Sequence, residues 1–85
     1  MLIDKDLKLR RVQGKNFIIA IGKRSESFSG MIKLNDSAAF IFENLKKSRK
    51  RLIKAYSVKY GVGLDVAEKD IDATVAQFEE AGFFV

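Results

Sequence analysis

The stretch Leu34-Asn35-Asp36-Ser37-Ala38-Ala39-Phe40-Ile41-Phe42-Glu43-Asn44-Leu45 decides the fold, because the spacing of apolar residues changes there from that of a strand to that of a helix. Asn35 is suited to the N-cap position, since its side chain can accept a hydrogen bond from a free backbone N–H of the first turn. A first helix is therefore predicted to begin here. Its apolar face consists of Ala38, Ile41, Phe42 and Leu45.

Three short strands are predicted before this junction. Apolar residues alternate at residues 7–10 and run on at residues 17–21 and 28–34, with Gly-containing turn segments between them. The middle strand is apolar at every position. It is interpreted as a strand covered on both faces, and the alternative is a strand that lies at a self-association surface.

Two further helices are predicted after this junction. Ser48 can cap the second helix, and Gly61 or Gly63 can end it in a left-handed conformation. Asp65, with Glu68 three residues later, is predicted to form an acidic variant of the capping box at the start of the third helix.

The C-terminal part of the chain completes this pattern. Gly82 is predicted to end the third helix, and residues 83–85 are predicted to fold back onto the core. The sequence therefore predicts an α+β fold, winged-helix-like, with three short N-terminal antiparallel strands followed by three helices. Since 85 residues provide for only one hydrophobic core, residues 1–85 are expected to form a single domain.

The composition restricts the classes of function. The chain has no Cys and no His, so it lacks thiolate metal ligands, the usual base near neutral pH and the commonest metal ligand. The carboxylate pairs Asp70/Asp72 and Glu79/Glu80 lie in a polar helical stretch and are interpreted as solvated surface. No membrane-spanning run is present. We expect a soluble cytoplasmic protein that is not an enzyme and that binds no cofactor, metal or membrane.

The junction at residues 34–45 resembles the PqqD family, in which Leu-Asn, small polar residues and an apolar-aromatic pair follow one another. Tyr60-Gly61-Val62, the acid-rich residues 65–70 and the ending at residues 78–83 are similar to the family pattern in order and spacing, so the resemblance covers residues 7–84. Two features differ from the family. There is no Trp near Phe42. Family members usually have an Asp-Gly type turn followed by an acidic first turn of the second helix, and in this chain Lys46-Lys47 stand in place of that turn.

The resemblance implies a non-catalytic peptide chaperone of PQQ biosynthesis or of a related modified-peptide pathway. Its implied partners are the leader segment of a ribosomally made precursor peptide, which is added as a strand beside the third strand, and a radical S-adenosylmethionine (SAM) enzyme, which receives it. On this sequence the strand edge is residues 30–34. The implied peptide-binding residues are Met31, Ile32, Lys33, Leu34, Ile71, Thr74, Val75 and Phe78.

A second interpretation applies to three of these residues. Ile71, Val75 and Phe78 are spaced as core positions of a helix are, and a core position is the commoner reason for such spacing. Met31, Lys33 and Thr74 are therefore the better candidates for exposed contacts.

The two C-terminal helices are opposite in charge. Residues 46–59 contain seven basic residues and no acid, whereas residues 65–80 contain six acids and one Lys. The acidic helix would be repelled by phosphates, which disfavours DNA binding through it. A winged-helix nucleic-acid-binding module that uses the second helix remains the alternative. A third hypothesis is a purely structural module that self-associates through the apolar middle strand, for example as a homodimer.

The basic first turn of the second helix is unfavourable beside the helix dipole, which suggests a partner with acidic groups. The predicted partner-binding residues are Arg49, Lys50, Arg51 and Lys54.

Overall fold

The computed structural model describes residues 3–23, 25 and 31–84. Within these residues three antiparallel strands precede three helices, which confirms the predicted α+β order. Residues 28–30 of the third predicted strand and Val85 lie outside the described part. The strands are β1 (Leu7–Val12), β2 (Lys15–Ala20) and β3 (Met31–Leu34), and the helices are α1 (Asp36–Glu43), α2 (Arg49–Tyr60) and α3 (Leu64–Glu80).

A two-residue turn joins β1 to β2. Gln13 and Gly14 both have positive φ, at 51° and 76°, and Val12 pairs with Lys15 on either side of them. Two successive residues with positive φ are typical of the type I′ turn, whose twist matches that of the flanking strands. The turn therefore sets the register of the hairpin.

The two faces of β2 differ in burial. Asn16 and Ile18 are fully buried, and Ile18 is paired with Leu9 on one side and Ile32 on the other. Phe17 and Ile19 point to the opposite face, where they are only half-buried and are not packed against the core. The structure thus differs from the expectation of a strand covered on both faces, because the core of the described chain adjoins only one of them.

The predicted caps of α1 and α2 are confirmed. The Asn35 side chain accepts a hydrogen bond from the Ala38 N–H at 2.8 Å, and the Ser48 hydroxyl accepts one from the Arg51 N–H at 3.3 Å. Gly61 ends α2 with a φ of 62°, a conformation that glycine adopts without steric cost. Of the two glycines proposed for this role, it is therefore Gly61 that ends the helix.

The start of α3 corrects the sequence-based prediction. Gly63 is the N-cap and makes no side-chain capping bond, while Asp65 and Glu68 lie inside the helix. The predicted capping box at Asp65 is therefore wrong. The Asp65 Oδ1 atom folds back over Gly63, 2.8 Å from the point that a Cβ atom at residue 63 would occupy, so glycine makes room for that carboxylate.

The end of α3 has the predicted stop. Gly82 has a φ of 77°, its N–H donates to the Glu79 carbonyl, and the Phe83 N–H donates to the Phe78 carbonyl, both at 3.0 Å. This pair of bonds is a Schellman motif. It brings the Phe83 and Phe78 rings to a centroid distance of 5.2 Å, and Phe83 is fully buried, as predicted.

The core lies between the inner face of the sheet and the three helices. From α1, Phe40 contacts the ring of Tyr60 and Phe42 contacts that of Phe78, each with its ring centroid 5.9 Å away. None of the helices in the described ranges is long and apolar enough to cross a membrane. The buried core residues are Leu7, Ile18, Ala38, Ile41, Leu52, Tyr56, Ala67, Ile71, Phe78 and Phe83.

Candidate functional site

Strand β3 is an outer strand of the sheet. The strand order is β1-β2-β3, so among the described strands β3 pairs only with β2, in the register Ile19↔Met31 to Asn16↔Leu34. A strand paired on one side presents backbone N–H and C=O groups on the other, and these can pair with an extended peptide. Gly30, the first residue of the predicted edge, lies outside the described residues.

The side chains of β3 alternate between the two faces of the sheet. Met31 is 62% exposed and Lys33 is also exposed, on the face that carries Phe17 and Ile19. Ile32 and Leu34 are half-buried and pack against the core. An added strand would therefore place alternate side chains beside Met31 and Lys33 on the outer face and beside Ile32 and Leu34 on the inner face.

The four helix residues singled out in the sequence divide by burial. Ile71 is 1% and Phe78 is 2% exposed, so both are core residues. Thr74 and Val75 are half-buried, and Val75 packs against the same core cluster as Ile32 and Leu34. Thr74 and Val75 are thus the members of this set with surface left for a ligand, and Ile71 and Phe78 hold α3 in place beneath them.

The four basic residues of α2 also divide into two groups. Arg49 forms a two-point ion pair with Asp72. Lys50, Arg51 and Lys54 are exposed, and their charged groups form no hydrogen bond or ion pair within the described residues. The positive charge at the start of α2 is therefore partly compensated from within the chain. The three remaining cations are available to an external partner.

The ion pair affects both of its members. The hydrogen bond from Arg49 holds the pKa of the Asp72 carboxyl below its ordinary value, and the same bond raises the pKa of Arg49. Glu68 lies farther away, with its Oε2 atom 4.0 Å from the Arg49 Nη2 atom. The pair ties the first turn of α2 to the middle of α3.

A second cleft, which sequence reasoning did not find, runs along β1. It has a volume of about 520 Å³ and lies between β1 and the end of α1, with Phe42 and Lys46 on the helical side. β1 is the other outer strand of the sheet. Alternation at residues 7–10 indicated the strand, but a cleft formed with residues more than 30 positions away leaves no local signal.

A buried polar link joins the β1–β2 hairpin to α1. The Asn16 Oδ1 atom accepts a hydrogen bond from Arg11 Nε at 2.9 Å, and the Asn16 Nδ2 group donates to Asp36 Oδ1 at 2.8 Å. Because a buried amide without partners is costly, this pairing stabilises the contact between the hairpin and the start of α1. Sequence reasoning did not identify Asn16, because it precedes the apolar run at residues 17–21 and follows Lys15, so no pattern marked it as buried.

Two tyrosines of α2 differ in their hydrogen bonds. The Tyr56 hydroxyl donates to Asp70 Oδ2 at 3.0 Å, whereas the buried Tyr60 hydroxyl has no partner among the described residues. Burial raises the pKa of both hydroxyls, and for Tyr56 the bond to Asp70 raises the pKa further. Neither tyrosine is therefore a base at neutral pH.

The acids of α3 lie at the surface of the molecule. Asp70, Asp72, Glu79 and Glu80 are all exposed, as the solvated-surface interpretation predicted. Within the ranges described, no three of the residues His, Cys, Asp and Glu are grouped so that they could hold a metal ion. The most prominent features are instead an outer strand, a partly exposed helix wall and a row of cations on α2.

Comparison with known proteins identifies the family. The family model of coenzyme PQQ synthesis protein D (PqqD) matches residues 17–83. The chain belongs to the PqqD family. PqqD proteins are non-catalytic accessory proteins. Neither the curated proteins nor the solved structures contain a match to this PqqD chain.

The PqqD match extends from the middle of the hairpin to the Schellman motif at the end of α3. It includes β3, all three helices and every predicted binding residue. It leaves out β1, so the cleft along β1 is bounded on one side by a strand that the PqqD model does not cover.

Proposed function

We propose that this PqqD-family chain is a single peptide-recognition domain that binds the leader segment of a ribosomally made precursor peptide and presents it to a radical SAM enzyme. The observation that carries the proposal is the outer strand β3. It pairs with β2 on one side only, and it is included in the family match. The leader is added to β3 as a fourth strand and contacts Thr74 and Val75 of α3.

Strand addition provides affinity and selectivity by different means. Backbone hydrogen bonds to β3 hold any extended peptide, whatever its sequence. Selectivity arises where alternate side chains of the leader contact Met31 on the outer face and Val75 near the inner face. Since a flexible leader loses conformational entropy on binding, we expect a dissociation constant between micromolar and high nanomolar, on the order of 1 μM.

The charge distribution supports a division of roles between the helices. All six acids of α3 are exposed, so this helix is unsuited to lie beside DNA phosphates. The cations Lys50, Arg51 and Lys54 of α2 face solvent on a different helix from Thr74 and Val75. In our proposal they attract an acidic surface of the partner enzyme while the leader occupies β3.

Titration of isotope-labelled protein with the cognate leader tests the proposal. The leader is sought among the short reading frames beside the gene and is made as a synthetic peptide, and a scrambled peptide of the same composition is the control. We expect the largest amide shifts at Met31, Ile32, Lys33, Thr74 and Val75, with slowed hydrogen exchange in β3.

Two outcomes would contradict strand addition at β3. Shifts confined to residues 49–54 would place the ligand on α2, and shifts confined to residues 7–12 would place it in the cleft along β1. Equal binding of the scrambled peptide would show that no leader is recognised.

A further inference from the structure

Two apolar furrows flank a ridge on the exposed side of α2. The ridge consists of Lys54 and Val58, which are one helical turn apart, and both residues line both cavities. The furrow toward α3, of about 460 Å³, is lined by Lys50, Ile53, Lys54, Ser57, Val58 and Leu64. The furrow toward α1, of about 440 Å³, is lined by Phe40, Arg51, Lys54, Ala55, Val58 and Lys59.

The apolar side chains of this surface are unusually open to solvent. Val58 is 76% exposed and Leu64 is 60% exposed, and both line the furrow toward α3. A single exposed apolar residue is ordinary, but two beside a cavity form a surface that water solvates poorly. This surface therefore offers exposed apolar contact area at Val58 on the ridge and at Leu64 in the furrow toward α3.

A basic rim borders both furrows: Lys50 lines the furrow toward α3, and Arg51 and Lys59 line the furrow toward α1. Lys54 adds a fourth cation on the ridge itself, and α2 contains no acid. The Lys59 Nζ atom lies 5.4 Å from the centroid of the Phe40 ring, which orients it at the furrow toward α1. In contrast to Arg49, none of these four side chains forms an ion pair within the described residues.

We propose that the ridge and furrows of α2 bind an acidic amphipathic helix of a partner protein. Helices pack by placing the side-chain ridges of one into the grooves of the other, and a ridge of residues four apart between two grooves has this geometry. Apolar residues of the partner helix enter the two furrows on either side of Val58. Acidic residues that flank them meet the basic rim.

The apolar middle distinguishes this occupant from nucleic acid. A phosphate backbone would be attracted by the same cations but would leave Val58 and Leu64 in contact with charged, hydrated groups. A symmetric dimer through this surface brings a basic α2 against a basic α2, which is repulsive. The inference rests on the proposed function only for the identity of the partner, which would be the enzyme that receives the leader.

A designed helix provides the probe. It is a peptide of about 18 residues, or about five turns, with Leu spaced three and four residues apart on one face and Glu beside them. The first control peptide replaces Glu by Lys, and the second replaces Leu by Gln. We expect calorimetry to give micromolar binding of the Glu/Leu peptide and at least about tenfold weaker binding of both controls.

Variants of the protein locate the site. Val58→Glu and Leu64→Glu should each weaken binding of the Glu/Leu peptide at least about tenfold, and both should keep the fold because the side chains are exposed. Glu at residue 64 also suits the N-terminus of α3. The matched control is Val12→Glu on β1, an apolar residue that is 51% exposed and belongs to neither furrow, and it should leave binding unchanged.

Other occupants would appear as different results. Equal binding of the Glu and Lys peptides, or no effect of Val58→Glu, would overturn the inference. A dimer that sedimentation detects and that Val58→Glu dissociates would assign the surface to a second copy, and binding of anionic vesicles in preference to the peptide would assign it to a membrane. Leader binding is measured in parallel. A protein that binds the Glu/Leu peptide but not the leader contradicts the proposed function alone. A protein that binds the leader but not the Glu/Leu peptide contradicts this inference alone.

Discussion

Arg49 on α2 and Asp72 on α3 form a two-point ion pair, in which Arg49 Nη1 lies 2.6 Å from Asp72 Oδ1 and Nη2 lies 3.0 Å from Oδ2. Both side chains are about half exposed. The guanidinium and the carboxylate are planar groups that match in this arrangement, so each fixes the orientation of the other. The pair joins two helices that are adjacent in sequence but opposite in charge.

The ion pair makes stability depend on acid pH. Since Arg49 lowers the pKa of Asp72 in the folded state, the stabilisation is present above the ordinary pKa of Asp and is lost as the pH falls through the lowered value. Asp72→Asn should therefore melt below the wild type at neutral pH, and the two should converge in strong acid. Thermal unfolding monitored by circular dichroism checks this, with Glu80→Gln as the unpaired control.

The tyrosines of α2 provide a matched pair of substitutions. Tyr56→Phe removes a hydrogen bond to Asp70 and should destabilise the fold by about 1 kcal/mol. Tyr60→Phe removes a buried hydroxyl without a partner in the described chain, so it should be neutral or stabilising by up to about 1 kcal/mol. Urea unfolding measures both, and equal destabilisation by the two changes would show that the Tyr60 hydroxyl is satisfied by bound water.

The raised pKa values of these hydroxyls predict the alkaline limit of stability. The neutral form of each tyrosine is favoured in the folded state, so stability should be full below the ordinary tyrosine pKa and should fall as the pH rises through the raised values. Absorbance titration of tyrosinate should show delayed ionisation in the wild type. Tyr56→Phe should remove the part of the delay that comes from Asp70.

Much of the fold could be predicted because its signals are local. Asn35 and Ser48 cap their helices through side chains three residues from the N–H groups they bind, and Gly82 with Phe83 completes a stop within one turn. The start of α3 was predicted wrongly because two acceptable N-cap residues, Gly63 and Asp65, lie two positions apart, and local preference does not choose between them. In the structure the helix begins after Gly63, and Asp65 lies in its first turn.

Tertiary contacts account for what the sequence could not show. The basic first turn of α2 is unfavourable when considered alone, but Asp72 lies 23 residues away and compensates Arg49. Similarly, an apolar run cannot reveal that Ile18 faces the core while Ile19 faces away from it. At the candidate site, helical spacing placed Ile71 and Val75 on one stripe, but packing decides that only Val75 keeps a partly exposed surface.

Thr74 and Val75 should respond differently to a charge. Val75 packs against the core, so Val75→Asp brings an unpaired charge toward apolar surface. This change should destabilise the fold by about 2 kcal/mol or more and should abolish leader binding. Thr74 is half-buried and already polar, so Thr74→Asp should keep the fold and weaken leader binding. Circular dichroism beside the binding assay separates the two effects. Full leader binding by Thr74→Asp would remove α3 from the site.

Replacement of Lys50, Arg51 and Lys54 together by Gln distinguishes a peptide chaperone from a nucleic-acid binder. If these cations bound phosphates, the triple variant should lose most of its affinity, and the slope of log affinity against log salt should flatten by about two to three units, since each phosphate contact contributes about 0.7 to 0.9. Leader binding at β3 depends instead on backbone hydrogen bonds and apolar contacts, which salt screens weakly.

We therefore expect the triple variant to bind the leader within about tenfold of the wild type and to lose only its contact with an acidic partner. Arg49→Gln is the matched control, because Arg49 is already occupied by Asp72 and its loss should alter stability more than partner binding. Binding is measured at low and high salt with the leader and with random duplex DNA. Tight, salt-dependent binding of duplex by the wild type, lost in the triple variant and accompanied by no leader binding, would overturn the proposed function in favour of a nucleic-acid-binding module.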